Sequence, residues 1–261
     1  MQSGLKLRSS LLFAKARYGK SATMLFPSLS GPSARIVFTR LVFLFAALLL
    51  VSPASNSSAR RIDYSTSGLS FQQEDGWVAI KTDDGMLFVW NVRELHFTLA
   101  IKGKDIKPLN DPDHIFFIVD GKPLQIQVAS IREFAPDAKE KKLDDRAILA
   151  AHRAWESAYI EELLKSKIQL HTFNVKLSKG GDASLWQFDM PEGANVEAKT
   201  QLYVTVVREG SVVMLNGEAT ATTSEEEARK FLLDTMATLK ISPVAIDVKK
   251  LAESVRKGVA P

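Results

Sequence analysis

The stretch HIFFIVDGKPLQIQVASI (residues 114–131) gives the clearest indication of antiparallel β-structure in the chain. Two apolar runs flank Asp120-Gly121, a pair that accepts the positive φ angles of a two-residue hairpin turn. In the second arm Leu124, Ile126 and Val128 alternate with more polar residues, so one face of the strand is predicted to be buried and the other wet.

Strand-like segments lie on both sides of this hairpin. They are rich in β-branched and aromatic residues and are separated by Gly and Asp, which is typical of antiparallel strands joined by turns. They cover residues 77–81, 87–92, 96–102, 171–177, 184–190, 202–207 and 211–219, with turns predicted at 179–182 and 209–210. The charged run at residues 136–142 is predicted to be a solvated loop.

A first helix is predicted from Asp144 to Lys165. Its apolar residues recur at spacings of three and four, which predicts one buried stripe. The stripe is composed of Ile148, Ala151, Trp155, Tyr159 (or Ala158) and Leu163.

A second helix is predicted to begin at Ser224 and to be ended by Pro243. Ser224 and Glu227 have the spacing of a capping box. The predicted buried face comprises Ala228, Phe231, Leu232, Thr235, Met236 and Leu239. The residues after Pro243 are expected to form a marginal amphipathic helix.

Together these elements predict an α+β fold, with antiparallel sheet packed with helices on at least one face. The wet hairpin face predicts that not every sheet face is buried. We expect a leader with a signal peptide at residues 1–54, a linker at 55–68, a single domain at 69–242 and a C-terminal tail at 243–261.

The leader is identified by its apolar run at residues 41–51. Eleven residues are too few for a helix that crosses the hydrocarbon core, which needs roughly 20. Arg35 and Arg40 precede the run and Ser52-Pro53-Ala54 follows it, the pattern of a secretory signal peptide. Cleavage after Ala54 is expected, and an uncleaved anchor is the alternative. Translation from Met24 and a two-part organelle address starting at Met1 both fit the residues upstream.

Loss of the leader changes the charge of the protein. The whole chain has 34 Lys and Arg against 30 Asp and Glu, but its first acidic residue is Asp63. Seven basic residues leave with residues 1–54, so the product has 27 against 30 and a net charge of −3. A mildly acidic domain is not expected to bind nucleic acid.

The chain has no Cys, so neither a lipid anchor on Cys nor thiol chemistry is available to it.

Histidines and carboxylates supply the candidate metal site. His152 and Glu156 lie four residues apart on the first helix and project from one face. Asp113 and His114 precede a strand and offer two further ligands, although Asp111-Pro112-Asp113 is also ordinary turn chemistry. Zinc takes three or four such ligands, so these four residues would have to converge. A histidine at the edge of the core is the alternative for His152.

Other chemistry is poorly supported. The chain contains no GxSxG elbow, and the residues at 178–182 lack the spacing of a phosphate-binding loop. No cofactor motif is present. Trp77, Trp90, Trp155 and Trp186 could line a ligand pocket, although core packing is the usual role of tryptophan in strands and helices.

The C-terminal half resembles the closing portion of Mog/PsbP-like domains. The resemblance covers residues 171–241 and rests on a strand ending DMPEG, a hairpin LYVTVVREG and SVVMLNGEAT, and a Ser/Thr-capped helix in TTSEEEARKFLLDTMATLKI. It implies an antiparallel sheet sandwiched by helices and a mostly non-catalytic role, such as an exported accessory factor of photosynthetic membranes, an envelope lipoprotein or a binder of a small GTPase. The missing lipobox cysteine sets the chain apart from the lipoprotein members.

Three functions follow as hypotheses. The first is an exported, non-catalytic domain that binds a protein partner in the cell envelope, periplasm or an organelle lumen such as that of the thylakoid, touching a membrane only through an uncleaved leader. The second is a carrier of a small apolar ligand or lipid, with the tryptophans lining a pocket between sheet and helices. The third is a metal-assisted hydrolase built on His114, Asp113, His152 and Glu156.

Overall fold

Antiparallel strands form the centre of the fold. The computed structural model describes residues 76–109, 114–178, 182–192 and 197–258. The strands in these ranges are β1 (Trp77–Thr82), β2 (Gly85–Val92), β3 (Leu95–Lys102), β4 (Ile106–Leu109), β5 (Ile115–Val119), β6 (Lys122–Ser130), β7 (His171–Lys176), β8 (Asp182–Asp189), β9 (Thr200–Arg208), β10 (Ser211–Ala219) and β11 (Lys240–Ser242). The helices are α1 (Ile131–Phe134), α2 (Asp145–Leu164), α3 (Glu225–Met236) and α4 (Val248–Arg256).

These strands form two sheets. The small sheet has the order β1-β2-β3-β11, and the large sheet has the order β4-β5-β6-β10-β9-β8-β7. Every pair of neighbouring strands is antiparallel. The prediction of an α+β fold with antiparallel sheets packed with helices is confirmed.

The hairpin β5–β6, with its turn at Asp120-Gly121, lies inside the large sheet. Its turn residues Asp120 and Gly121 have φ angles of 49° and 82°. The Asp120 carboxylate also accepts hydrogen bonds from the backbone N–H groups of Lys104 and Asp105, at 2.9 and 2.8 Å. The turn residues therefore fix both the hairpin register and the preceding loop.

The main core lies between the two sheets and includes α3. Aromatic rings from both sheets meet there, with Phe88 of the small sheet packed edge to face on Phe117 of the large sheet at 6.2 Å between centroids. Leu232 and Met236 of α3 are fully buried in the same cluster. Full burial of side chains of this size contributes about 1.5–3 kcal/mol each.

Two helices cover the outer faces of the sheets. α4 packs its apolar side on Val78, Ile80, Leu87 and Val89 of the small sheet. α2 packs on the large sheet over a second cluster, which contains Trp186, Phe188, Tyr203 and Met214. Among the described residues, no helix is long and apolar enough to cross a membrane. The apolar run at 41–51 lies outside them.

The capping box of α3 is confirmed, but the predicted end of this helix is wrong. Ser224 Oγ accepts from the Glu227 N–H at 3.3 Å, and Glu227 Oε2 accepts from the Ser224 N–H at 2.9 Å. The helix ends at Met236 and not at Pro243. Residues 240–242 instead form β11, which pairs with β3 and extends the small sheet. The backbone groups of β11 are therefore hydrogen-bonded to β3.

The predicted buried stripe of α2 is confirmed at Ile148 and wrong at Trp155 and Leu163. Trp155 and Leu163 are each 37% exposed. The buried residues of α2 are Ile148, Leu149, His152, Glu156 and Ile160. The most apolar stripe of α2 is therefore turned partly towards solvent. The sheet face beneath the helix is partly polar, and the buried apolar residues of α2 lie at the two ends of the contact.

The hairpin face that is predicted to be wet is buried at two of its three residues, and Gln127 between them is half-buried. Gln125 is 5% and Ala129 9% exposed, so both lie in the interior. Their face of β6 continues into β10, where α2 packs on Val212 and Met214. A helix therefore covers the face that the alternation assigned to solvent.

Candidate functional site

A row of polar side chains crosses the outer face of the large sheet under α2. Backbone register places Gln125 opposite Asn216, Asn216 opposite Tyr203, and Tyr203 opposite Trp186. Because side chains alternate across a strand, all four point to the same face. All four are at most 8% exposed, so this face is an interior polar layer.

A second, parallel row lies two residues along the same strands. Thr205 is opposite Ser184, and the Thr205 hydroxyl donates to the Ser184 carbonyl at 3.2 Å. Arg153 of α2 reaches down to the Ser184 hydroxyl, with 3.5 Å between Nη1 and Oγ. The Arg153 contact therefore adds a polar link between α2 and the sheet.

His152 and Glu156 face this layer from α2, and together with the two rows they define the α2 interface. His152 is 1% exposed and Glu156 is 8% exposed. They lie one helical turn apart, between the apolar anchors Ile148 and Ile160. Ionisable side chains therefore occupy the middle of the contact.

Burial sets the charge of both groups. It raises the pKa of Glu156 from 4.5 to about 7, an effect that the positive charge of His114 opposes. Burial lowers the pKa of His152 from 6.5 to about 4. Because a low-dielectric site disfavours the charged form, the carboxyl retains its proton towards neutral pH and the imidazole is neutral, with one of its two nitrogen atoms protonated.

Aromatic rings enclose the pair. His152 packs edge to face on Phe134 of α1 at 5.1 Å and against Trp155 at 6.0 Å. Trp186 and Tyr203 stack face to face at 3.8 Å between centroids. Burial raises the pKa of the Tyr203 hydroxyl, which remains protonated and hydrogen-bonds to Asn216.

Two buried nitrogen atoms of the interface lack a partner. His152 Nδ1 and Trp186 Nε1 make no hydrogen bond within the described part of the chain. An unpaired buried polar group costs about 1–3 kcal/mol.

The predicted metal ligands are only partly brought together. His152 and Glu156 share the α2 interface, and His114 is close enough to Glu156 to act on its pKa. Asp113 lies outside the described residues. Within residues 76–109, 114–178, 182–192 and 197–258, no three His, Asp or Glu side chains form a group that could hold a metal ion.

The tryptophans do not share a cleft. Trp77 and Trp90 stack on Phe88 in the core between the sheets, at 5.5 and 6.5 Å. Trp186 is buried under α2, whereas Trp155 is partly exposed. Two surface cavities of about 620 and 380 Å³ lie beside α3, and tryptophan lines neither of them.

A second feature is the outer edge of β7, called here the β7 edge and comprising residues 171–176. Among the residues that the structure describes, this strand ends the large sheet, and Val175 is its one residue that is not exposed. Phe173 is 41% exposed, and the Arg229 guanidinium of α3 lies 5.0 Å above its ring. Arg229 is held there by hydrogen bonds to Glu225 and Gln187.

The opposite edge of the same sheet is built differently. β4 is only four residues long and contains Pro108, which cannot donate a backbone hydrogen bond. Lys107 next to it forms an ion pair with Asp105 at 2.6 Å. Short length, proline and lysine are the usual protections of an exposed edge, and β7 has no proline and carries lysine only at its last position.

Comparisons with known proteins identify a weak resemblance and no family. No protein-family model matches the chain, and no curated protein matches it significantly. Among solved structures, the chain is similar to the solution structure of cyanobacterial PsbP (CyanoP) from Synechocystis sp. PCC 6803. The two are 14% identical with a TM-score of 0.31, and the match covers 74% of this chain and 99% of that one.

Sequence reasoning found His152 and Glu156 but not their environment. Their spacing of four placed them on one helix face, as observed. The polar layer was missed because Gln125 was assigned to a solvated face. Polar residues at inward-facing strand positions, such as Gln125 and Gln127 on β6, Ser184 on β8 and Thr205 on β9, are the signal of a polar interior layer. This signal can be interpreted only when it is known that a helix covers that face of the sheet.

Proposed function

We propose that this protein is an exported, non-catalytic binding protein that recruits a protein partner through the β7 edge. The observation that carries the proposal is the open edge of the large sheet with Phe173 exposed on it. An unprotected strand edge offers a row of backbone donors and acceptors, and an extended segment of another chain can complete it as a further strand.

The side chains of this edge support the same function. Phe173 is a large apolar group whose ring is fixed by Arg229, so little conformational entropy is lost when a partner covers it. Thr172 and Asn174 flank it on the opposite face of the strand and add hydrogen-bonding capacity. Aromatic and Arg side chains are also the residue types that contribute most at protein interfaces.

Export is the second element of the proposal. The basic flank, the short apolar run at 41–51 and the Ser-Pro-Ala exit favour a cleaved signal peptide, with the cell envelope or an organelle lumen as the destination. Determination of the N-terminus of the protein isolated from its own cells tests this part. A terminus at residue 55 supports export, and an intact terminus upstream of residue 41 contradicts cleavage.

The edge is tested by site-specific photo-crosslinking in the cells that express the protein. A photoreactive residue at Thr172 is expected to give one crosslinked partner, and the same residue at Lys107 on the β4 edge is expected to give none. Both positions are exposed strand residues at the two ends of one sheet. Equal crosslinking at both positions, or none at Thr172, contradicts the proposal.

A pair of matched substitutions separates binding from folding. Phe173→Lys places a charge on the β7 edge and is expected to abolish capture of the crosslinked partner. Leu109→Lys makes the same change on the β4 edge, where the side chain is similarly exposed at 38%, and is expected to leave capture unchanged. Leu109→Lys should leave the thermal unfolding of the chain close to its unaltered value, and Phe173→Lys should lower the unfolding temperature only slightly, because it removes an exposed contact and places a second positive charge beside Arg229.

A further inference from the structure

The outward face of α4 carries a cluster of basic side chains. The helix packs on the small sheet through its apolar side, which consists of Val248, Leu251, Ala252 and Val255. At 3.6 residues per turn, the opposite side of the helix points to solvent. Its exposed residues, together with the C-cap, are Lys249, Lys250, Glu253, Arg256 and Lys257. Four basic residues against one acidic residue give this basic face a net charge of +3.

The charge of the basic face is not neutralised by its neighbours. Within the described ranges of the chain, no salt bridge includes any of its four basic residues. The product that is expected to begin at residue 55 has a net charge of −3, so all of its other residues together carry −6. Positive charge is therefore concentrated on α4 and is not a general property of the domain.

An apolar tip, residues 243–245, lies immediately before α4. All three residues are exposed, and Val244 is 67% exposed. The Ser242 hydroxyl donates to the Val244 carbonyl at 2.6 Å and accepts from the Val244 N–H at 3.4 Å. Asn91 Nδ2 donates to the Ile246 carbonyl at 2.8 Å, and Asn91 Oδ1 accepts from the Ile246 N–H at 3.0 Å. The tip is therefore held on both sides, so covering it costs little conformational entropy.

The apolar tip and the basic face are close in space. Val244 is three residues before Asp247, the N-cap of α4, and three residues of chain span at most about 11 Å. Lys249 and Lys250 follow in the first turn of the helix. One continuous segment of the chain therefore presents an apolar side chain and basic side chains side by side.

We propose that the basic face of α4 and the apolar tip form a surface that docks on an anionic lipid bilayer. The basic side chains lie at the headgroup phosphates, and Val244 leaves water for the interface. Both contacts are favourable, because an anionic leaflet attracts Lys and Arg and because an apolar side chain gains free energy on leaving water. This surface is separate from the β7 edge, so the proposal goes beyond the proposed function, and it needs no uncleaved leader.

A bilayer fits this surface better than an acidic protein does. A specific protein interface uses roughly 20–30 residues a side, whereas the basic face and the tip together offer eight exposed residues. The basic residues form two pairs, 249–250 and 256–257, which are about 10 Å apart along the helix. Headgroups in a fluid leaflet can move to meet charges at any such spacing.

Binding to lipid vesicles tests the proposal, with protein isolated from the cells that express it. Co-sedimentation compares vesicles of phosphatidylcholine alone with vesicles that also contain phosphatidylglycerol. At roughly fivefold for each of three net charges, binding to the anionic vesicles is expected to be about a hundredfold tighter, and added salt should reduce the difference. Equal binding to both kinds of vesicle overturns the proposal. No binding to either also overturns it and leaves an acidic protein as the occupant of this face.

Matched changes of charge locate the binding surface. Lys249→Gln with Lys250→Gln removes two charges and is expected to weaken binding to the anionic vesicles about 25-fold. Lys139→Gln with Lys142→Gln removes two charges from the turn before α2, the helix on the opposite outer face of the fold, and is expected to leave binding unchanged. All four side chains are exposed, so both variants should fold. Equal losses in the two variants overturn the proposal.

A fluorescent reporter tests the apolar tip without a change of charge. The chain has no cysteine, so Val244→Cys provides a single site for an environment-sensitive dye. The emission of this dye is expected to shift to the blue on anionic vesicles. The same dye attached through Leu109→Cys, at an exposed position on the β4 edge, should show no shift. A shift at both positions, or at neither, overturns the proposal.

The vesicle experiment is independent of the β7 edge. Phe173→Lys is expected to abolish capture of the protein partner but to leave binding to anionic vesicles intact. The double substitution at Lys249 and Lys250 is expected to have the opposite effects. Loss of vesicle binding in Phe173→Lys would assign the lipid contact to the β7 edge and overturn the assignment to α4.

Discussion

The helices α2 and α3 pack on opposite faces of the same large sheet, and they are held there by different chemistry. α3 is anchored by Ala228, Leu232, Thr235 and Met236, all at most 4% exposed, in the core between the two sheets. The middle of α2 is anchored by His152 and Glu156 over a polar layer. The difference shows that one sheet can have an apolar face that packs on one helix and a partly polar face that packs on another through buried ionisable side chains.

The anchors of α3 are expected to carry the largest energies in this comparison. Leu232→Ala removes a fully buried side chain from the main core and should lower the free energy of unfolding by about 2–5 kcal/mol. Chemical denaturation followed by circular dichroism measures the loss. Leu163→Ala on α2 is the matched control and should cost under about 0.5 kcal/mol, because this leucine is 37% exposed. Equal losses at the two sites would contradict the assignment of the core to α3.

A double substitution gives α2 an apolar buried face like that of α3. His152→Phe combined with Glu156→Leu replaces the ionisable pair with apolar side chains and removes the unpaired His152 Nδ1. The free energy of unfolding is expected to stay constant or to rise by roughly 1–4 kcal/mol, because apolar replacements of buried ionisable pairs are often neutral or stabilising. Denaturant titrations at several pH values measure it.

The double variant should also differ from each single one. Its α2 contribution should be flat between pH 4.5 and 6.5, whereas the single variants should change by up to about 1.4 kcal/mol per pH unit in opposite directions. With His152→Phe alone, the raised pKa of Glu156 should make the contribution fall as the pH rises, and with Glu156→Leu alone, the lowered pKa of His152 should make it fall as the pH falls. A double variant that keeps a slope in this range would show that the pH dependence does not come from His152 and Glu156 alone.

The same two helices show how far the sequence predicts the structure. α3 was predicted with its cap and its buried face, because the capping box and a single apolar stripe agree. In α2 two stripes overlap, and the more apolar one, through Trp155 and Leu163, is partly exposed. Periodicity within a helix cannot say which stripe is buried when the surface it packs on is itself polar.

The sheet shows the same limit. The hairpin at Asp120-Gly121 and the strands around it follow from local turn chemistry and alternation, and they are observed with small changes of boundary. The short strands β4 and β11 were missed, because their few residues have no periodic signal and their pairing partners are distant in sequence. Likewise, the sequence places His152 and Glu156 on one face but cannot show that Gln125 and Asn216 line the opposite side.

The smallest expected difference concerns the N-termini of the two helices. In α3, Ser224 and Glu227 satisfy two backbone N–H groups reciprocally, whereas in α2 Asp144 accepts one hydrogen bond, from the Ala147 N–H at 2.8 Å. Ser224→Ala should therefore cost about 1–2 kcal/mol, because Glu227 loses its partner as well. Asp144→Ala should cost about 0.5–1 kcal/mol, at the lower end of capping effects.

Denaturant unfolding of the two variants at one pH compares these caps directly, and hydrogen exchange of the first turn of each helix locates the change. A larger loss for Asp144→Ala would mean that the negative charge at the positive end of α2 outweighs the second hydrogen bond in α3. The difference in stability between the two helices would then come from the electrostatics at the N-terminus of α2 as well as from its buried residues His152 and Glu156. Asp145 in the first turn of α2 would be the next residue to substitute, since it adds a second negative charge there.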